Sequence, residues 1–142
     1  MQSNKEQYIL FLEEDDDLRR AFPASLNVLL RDEPRLSHIR VLWASSVEEA
    51  TRFFGDRCDG ICLMAVDQNT GAGKHVFNNI IPFVQEVRRA GWQGPIIATA
   101  TYRQDLKNLV EAGCDPTLAI LEKRLVLPLV IETLLKMLEP SS

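Results

Sequence analysis

The sequence predicts a single α/β domain built around a doubly wound, parallel sheet of five strands. Five short apolar runs recur along the 142 residues, and an amphipathic stretch follows each of them. Runs that are apolar at nearly every position suit strands buried on both faces, as parallel sheets require. The alternation of strands and helices with short connections predicts a three-layer (βα)5 sandwich. A chain of this length is expected to build one core rather than two.

The predicted strands are the apolar runs themselves: Tyr8–Leu12, Ile39–Ala44, Gly60–Val66, Pro95–Ala100 and Leu118–Leu121. The intervening stretches repeat apolar residues at helical spacing, which predicts helices over 17–31, from Ser46, over 80–89, over 102–112 and from Pro128. Ser46 and Glu49 match a capping box. We expect residues 1–7 to be an N-terminal extension, 8–139 a single domain and 140–142 a C-terminal tail.

Composition narrows the classes of function. The net charge is −4 and the sequence pI is about 5.2, so we expect no binding of nucleic acid, which requires a basic surface. No apolar stretch approaches the ~20 residues of a membrane-spanning helix, and the polar N-terminus does not resemble a signal peptide. Three cysteines without a CxxC pair indicate reduced thiols and a cytoplasmic protein.

An acidic run, Glu13 to Asp17, follows the first predicted strand. Clustered carboxylates at the end of a buried strand need solvent or a cation, and ligands of open α/β sheets bind at that edge. Glu13 and Glu14 are therefore candidate metal ligands. A structural role remains open for the whole run, because carboxylates at a helix N-terminus interact favourably with the helix dipole.

The order and spacing of several segments resemble the receiver domain of two-component (phosphorelay) response regulators, a flavodoxin-like fold. The resemblance covers nearly the full length and rests on these segments: Ile9–Asp15, Ser45–Ala50, Asp59–Leu63, Gly94–Ile97, Ala112–Asp115 and Glu122–Leu125. It implies an aspartate at the end of the third strand that accepts a phosphoryl group with Mg²⁺, and a lysine and a hydroxyl that contact the phosphate. Glu13 and Glu14 match the acidic pair of that site, and Lys123 matches the lysine.

Three other matched positions lack the group that the resemblance requires. Counting from Asp59 places the acceptor position on Met64, counting from Pro95 places the hydroxyl position on Ala100, and the aromatic switch position falls on Ile120. A thioether cannot form an acyl phosphate, and a methyl group cannot donate a hydrogen bond. We therefore predict a pseudo-receiver that is not phosphorylated in the usual way, requires no cofactor and acts in signal transduction through protein–protein contacts.

Asp67 is the alternative acceptor, because it is the first carboxylate after the third apolar run. It lies three residues beyond Met64, an odd offset that points it to the opposite sheet face unless a bulge re-aims it. Thr99 or Thr101 would then supply the hydroxyl and Lys123 the cation for phosphate. Mg²⁺ would bind with the acidic pair in this alternative.

The sequence signals for partner and ligand surfaces are less specific than those for the fold. We expect a partner protein or a second copy of the chain to dock on the last helix and fifth strand, since residues 125–131 are unusually apolar. A third alternative is a small molecule in the crevice beside the strand tips and the Gln68–His75 loop. That loop lacks the complete phosphate-loop pattern. Because no nucleophile–base pair is visible, we do not predict an enzyme.

Overall fold

The computed structural model describes residues 6–13, 16–68 and 80–139, with the backbone alone described for 16–19. Within these ranges, five parallel strands form one sheet in the order β2-β1-β3-β4-β5. The strands are β1 (Gln7–Leu12), β2 (Ile39–Ala44), β3 (Ile61–Gln68), β4 (Ile96–Ala100) and β5 (Ala119–Ile120). The predicted doubly wound five-stranded sheet is therefore confirmed. Residues 1–5 and 140–142, which include most of the expected extension and the expected tail, lie outside the described ranges.

Helices follow the strands in the predicted order: α1 (Asp16–Asp32), α2 (Val47–Arg57), α3 (Ile80–Arg89), α4 (Arg103–Ala112) and α5 (Val126–Met137). Two short 3-10 helices, Pro116–Leu118 and Lys123–Leu125, flank β5. Helix α5 begins two residues before the predicted start at Pro128, because a proline is tolerated in the first helical turn. No described helix is long and apolar enough to cross a membrane.

The N-terminus of α2 has the predicted side-chain cap. The Ser46 hydroxyl accepts a hydrogen bond from the Glu49 amide at 3.1 Å, which satisfies one of the free donors of the first turn. The Glu49 carboxylate completes the return contact one residue earlier than a standard capping box, on the Ser45 amide at 2.7 Å.

Side chains of alternating direction divide the core between the two faces of the sheet. Met64 and Val66 of β3 belong to one cluster, which packs against α2, α3 and α4. Leu63 and Ala65 belong to the other cluster, which packs against α1 and α5. Both faces of the central strands are therefore covered, as the continuous apolar runs predict.

Strand β3 enters the sheet with an irregularity and extends further than predicted. Tyr8 pairs with Ile61, whereas Ile9 pairs with Leu63, so Cys62 is an extra residue opposite β1. The strand then runs to Gln68, two residues beyond the predicted end at Val66. A bulge of this kind shifts every later position of a strand relative to a count made from its start.

The loops at the opposite, amino edge of the sheet converge on one arginine. The Arg88 guanidinium donates hydrogen bonds to the carbonyls of Gly113 at 2.9 Å, Trp92 at 3.0 Å and Gly94 at 2.8 Å. It also lies 3.5 Å from the Asp115 carboxylate. These contacts fix the connections before β4 and β5. Ligands of open α/β sheets bind at the opposite, carboxyl edge.

Candidate functional site

Asp67 lies at the carboxyl end of the central strand β3. Its Cα partner on β4 is Thr99, and the side chain of Asp67 is 4 % exposed. The carboxylate is buried but fully engaged: the Thr99 hydroxyl donates to Oδ1 at 2.7 Å, and the Lys123 ammonium donates to Oδ2 at 2.9 Å. A buried carboxylate requires partners of this kind, and both of its oxygens have one.

Lys123 reaches Asp67 because of the chain path that follows β5. The strand ends at Ile120, and the short 3-10 helix that begins at Lys123 turns the chain back over the edge of the sheet. The Lys123 side chain remains 23 % exposed, so its ammonium lies between the buried carboxylate and solvent. The pair is therefore accessible from outside through its cationic member.

The structure places the three candidate hydroxyl positions differently. Thr99 is 5 % exposed and its hydroxyl contacts the Asp67 carboxylate directly. Ala100 is fully buried and pairs with Gln68 on β3. Thr101 is exposed beyond the end of β4, and no contact brings it to Asp67 among the described residues. A hydroxyl is thus present beside the carboxylate, one residue before the position expected from the resemblance.

Met64, on which the count from Asp59 places the acceptor position, lies within β3 and not at its carboxyl end. Met64 pairs with Leu10 and Ile96, is 1 % exposed and lies in the hydrophobic core on the face covered by α2, α3 and α4. It stands four residues before the end of β3, because the strand begins with the extra residue at Cys62 and continues to Gln68. The first carboxylate at the strand's carboxyl end is Asp67.

Asp67 also lies on the opposite face from Met64, as the odd offset predicts. It shares the α1 and α5 side with Leu63 and Ala65. No local bulge is needed to bring it to Lys123, because the lysine approaches from that side. Ile120, the expected aromatic switch position, is the Cα partner of Thr99 and packs against the cluster on the same face.

Glu13 brings a second carboxylate to the same level of the sheet. Leu12 of β1 pairs with Val66 of β3, so the residues that follow them, Glu13 and Asp67, lie at the same level of the sheet. Glu13 is 2 % exposed, and its amide donates to the Ala44 carbonyl at 3.0 Å. The first strand therefore delivers Glu13 to the site edge, whereas Glu14 lies outside the described residues.

The donor chemistry at this edge suits Mg²⁺, which prefers carboxylate oxygens, and Glu13 and Asp67 come from adjacent strands. Among the side chains that the structure describes, however, no group of three or more His, Cys, Asp or Glu is arranged to hold a metal ion. A complete ligand set would therefore need a side chain outside this set, such as that of Glu14. The Gln68–His75 loop also lies outside the described residues except for Gln68 itself.

Two features of the edge had no signal in the sequence. Gln68 is 1 % exposed, and neither its amide nitrogen nor its amide oxygen has a hydrogen-bond partner in the described part of the chain. Asp105 is 7 % exposed in the first turn of α4, on the helix side that carries Leu109. Hydrophobic patterning predicts neither residue to be buried, because both are polar and Asp105 lies in a helix turn where acidic residues are common.

Comparison with known proteins was informative at the level of structure. A receiver protein of a response regulator from Pseudoalteromonas atlantica matches with a TM-score of 0.65 and 15% identity, over 92% of this chain and 95% of that one. A chain of the CheX–CheY–BeF₃–Mg²⁺ complex from Borrelia burgdorferi matches with a TM-score of 0.63 and 11% identity, over 94% and 90%.

The receiver domain of the histidine kinase CKI1 from Arabidopsis thaliana, complexed with Mg²⁺ and BeF₃⁻, matches with a TM-score of 0.59 and 17% identity, over 89% of each chain. No protein-family model matches the sequence, and no curated protein matches it. The likeness therefore rests on the arrangement of strands and helices and covers almost the whole chain. This chain has the fold of response regulator receiver domains.

Proposed function

We propose that this protein is a receiver domain in which Asp67 is the phosphoacceptor. The observation that carries the proposal is the contact of one buried carboxylate at the end of β3 with both a lysine and a threonine hydroxyl. These are the group types that phosphoryl transfer requires: an oxygen nucleophile, a cation for the phosphoryl oxygens and a hydrogen-bond donor. The pseudo-receiver prediction rested on Met64, Ala100 and Ile120 at the working positions, and the burial of Met64 within β3 argues against the count that placed the acceptor there.

Each residue has a distinct role in the proposed reaction. An Asp67 carboxylate oxygen forms a bond to phosphorus while the bond from phosphorus to the donor's leaving group breaks, which leaves an acyl phosphate on Asp67. Lys123 and Thr99, released from the carboxylate, bind the phosphoryl oxygens. The Glu13 carboxylate, at the same level of the sheet as Asp67, would be a ligand for a cation. Mg²⁺, when bound, would supply positive charge to the phosphoryl oxygens; the two similar structures with Mg²⁺ and BeF₃⁻ support this choice of metal.

The direct test is phosphorylation by acetyl phosphate with Mg²⁺, followed by intact mass spectrometry under neutral and acidic conditions. We expect a mass increase of one phosphoryl group in the wild type and none in Asp67→Asn. The matched control is Asp59→Asn, an exposed carboxylate that precedes the same strand, and it must be phosphorylated like the wild type. A wild-type protein that gains no mass, or an Asp67→Asn variant that still does, contradicts the proposal.

A specific observation also favours the pseudo-receiver as a second candidate. Both oxygens of Asp67 are engaged and its side chain is 4 % exposed, so a phosphodonor must first displace Lys123 or Thr99. Under this candidate the ion pair is a permanent structural contact, and the domain signals only through its surface. Amide NMR spectra with BeF₃⁻ and Mg²⁺ separate the two candidates: shifts at Asp67 support the phosphoacceptor, and an unchanged spectrum supports the pseudo-receiver.

Under either candidate, we propose that the output is a protein–protein contact made by α5 and β5. Leu125 at the start of α5 is 45% exposed, and Met137 and Leu138 at its end are each 48% exposed. Exposed apolar side chains at both ends of one helix favour a protein surface as the partner. Analytical ultracentrifugation of the wild type and Leu125→Asp tests whether a second copy of the chain is that partner. A monomer at all concentrations rejects the homodimer.

A further inference from the structure

Strand β2 forms one edge of the sheet, and its outer side is open within the described part of the chain. The strand has 6 residues, Ile39–Ala44, which pair with β1 and with no other described strand. The opposite edge is β5, which has 2 residues. Proteins protect exposed edges by making them short or by placing proline or several charges along them. β2 is longer than β5, contains no proline and carries a single charge, that of Arg40, so it is an unprotected edge.

The backbone groups of β2 alternate between the two sides of the strand. The Ala44 carbonyl accepts a hydrogen bond from the Glu13 amide of the β1 chain at 3.0 Å. Ala44 and Leu42 therefore direct their N–H and C=O groups toward β1. Val41 and Trp43, which alternate with them, direct theirs outward. No described residue satisfies these outward groups.

Internal hydrogen bonds close this outward ladder at both ends. The Ile39 amide donates to the Leu36 carbonyl at 3.0 Å, and the Ser45 amide donates to the Glu49 carboxylate at 2.7 Å. The free N–H donors therefore belong to the short segment between these two residues. A partner strand that uses all of them must be centred on Leu42.

We propose that β2 is a homodimer interface, in which the β2 strands of two copies pair antiparallel about a two-fold axis at Leu42. A second copy is the occupant because the edge is complementary to itself in this register. Val41 of each copy lies opposite Trp43 of the other, so each such pair exchanges both N–H···O hydrogen bonds. An axis at Val41 or Trp43 would instead bring the amides of Ile39 or Ser45, which are already engaged, into the ladder.

The side chains on both faces of β2 fit the same register. Val41 and Trp43 lie on the face of α1 and α5, Leu42 lies on the face of α2, and all three are partly exposed. Val41 meets Trp43, a pair of β-branched and aromatic side chains that stabilises antiparallel strands, and Leu42 meets its own copy. Arg40 lies opposite Ala44, so it does not face a like charge across the strands.

Charges beyond the paired segment add a second complementarity. Arg40 is exposed, and alternation from Leu42 and Ala44 places it on the face that α2 covers. Antiparallel pairing brings Arg40 toward the end of the other copy's β2, where α2 begins at Val47. The first turn of that helix carries the exposed Glu48. The two-fold axis repeats this approach, so opposite charges face each other at both ends of the dimer contact.

The dimer contact is independent of the proposed phosphoacceptor. Strand β1 separates β2 from β3, which carries Asp67. A second copy at β2 also leaves the surface of α5 and β5 open to a different protein.

Sedimentation velocity and amide hydrogen exchange of the full chain, at protein concentrations from about 5 to 500 µM, test the dimer directly. We expect a monomer–dimer equilibrium over this range. The amides of Val41 and Trp43 should exchange about tenfold or more slowly at the highest concentration than at the lowest. The Leu42 amide is the internal control: it is directed toward β1 in the monomer already, so it must exchange slowly at every concentration.

Substitutions identify the residues that hold the dimer. Val41→Pro removes an outward N–H that the ladder with β1 does not use, so the fold is retained and the dissociation constant should rise about tenfold or more. Arg40→Glu and Glu48→Arg should each raise it about fivefold, and the double variant should restore the wild-type value. Leu125→Asp is the matched control, because it changes an exposed apolar residue at the start of α5 and must leave the dimer intact.

Four outcomes overturn the proposal. They are a protein that is monomeric at every concentration, a dimer that Leu125→Asp dissociates, a dimer that both single charge variants leave unchanged, and exchange of the Val41 and Trp43 amides that does not depend on concentration. The second outcome would assign the dimer to α5 instead of β2. If Val41→Pro does not fold, the charge variants decide, since Arg40 and Glu48 are both exposed.

Discussion

Replacing Lys123 by methionine removes the cation from a carboxylate that cannot reach solvent. The Asp67 side chain is 4 % exposed, and the Lys123 ammonium lies 2.9 Å from its Oδ2. Methionine keeps most of the apolar stem of the lysine, so the loss is mainly electrostatic. The variant therefore measures how much of the stability of the domain depends on this pair.

The expected loss follows from the burial of the two partners. Breaking a buried ion pair by removing one partner costs about 3–5 kcal/mol. Lys123 is 23 % exposed, and Asp67 keeps the hydrogen bond from Thr99, so solvent and this bond compensate in part. We expect the free energy of unfolding to fall by about 2–3 kcal/mol. The exposed pair between Lys136 and Glu132, 3.6 Å apart, supplies the control: Lys136→Met is expected to cost about 0.5 kcal/mol or less.

Urea denaturation of a double-mutant cycle isolates the contribution of the pair. In an Asp67→Asn background the residue that pairs with Lys123 carries no negative charge, so Lys123→Met should then cost under about 1 kcal/mol. The difference between the two backgrounds is the coupling energy of Lys123 with the Asp67 charge. Equal costs in both backgrounds, or a cost in the wild type no larger than that of Lys136→Met, would refute the argument from burial.

Three other predictions concern the rest of the fold. Gly113→Ala should lower the free energy of unfolding by about 2–3 kcal/mol, because φ is 137° and a Cβ would lie 2.6 Å from Arg88 Cγ. Gly91→Ala is the control: φ is 94° but the space around it is open, so it should cost about 1 kcal/mol. Equal losses in urea denaturation would show that the contact with Arg88 adds nothing to the cost. Arg88→Met should cost about 3 kcal/mol through three lost hydrogen bonds to carbonyls, and a change below about 1 kcal/mol would show that they are dispensable. Burial raises the pKa of Cys62 to about 11 and that of Cys114 to about 12. Near pH ~8, alkylation of both thiols should therefore be far slower in native than in urea-unfolded protein, and it should become faster as the pH rises. Mass spectrometry measures the two rates, and equal rates would contradict this prediction.

The sheet and its helices follow from local sequence patterns that are physically simple. Apolar runs predicted all five strands because a parallel sheet must be buried on both faces, and the bounds of β2 agree with the prediction. The cap at Ser46 is also a local feature, so it too could be predicted. Helix α3 likewise spans the predicted residues 80–89.

The site could be predicted only in part, because it depends on register between strands. A count from Asp59 assumes a regular strand, but the extra residue at Cys62 and the extension to Gln68 move the carboxyl end. Pairing with β4 then decides that Thr99, rather than Ala100, contacts the carboxylate. Pairing between strands distant in sequence leaves no trace in local periodicity.

The contacts of Asp67 make it the junction of three strand ends, and this determines how any modification must act. Its two oxygens hold Thr99 of β4 and Lys123 beyond β5, so a group attached to either oxygen must break at least one of these contacts. The freed hydroxyl or ammonium then has a new anion to bind, which draws the end of β4 or the turn after β5 toward it. Because β4 leads into α4 and the turn after β5 leads into α5, a local change at one carboxylate reaches the start of two helices. If Asp67 is the phosphoacceptor that we propose, the exposed residues at those helix starts are where a partner would detect its state.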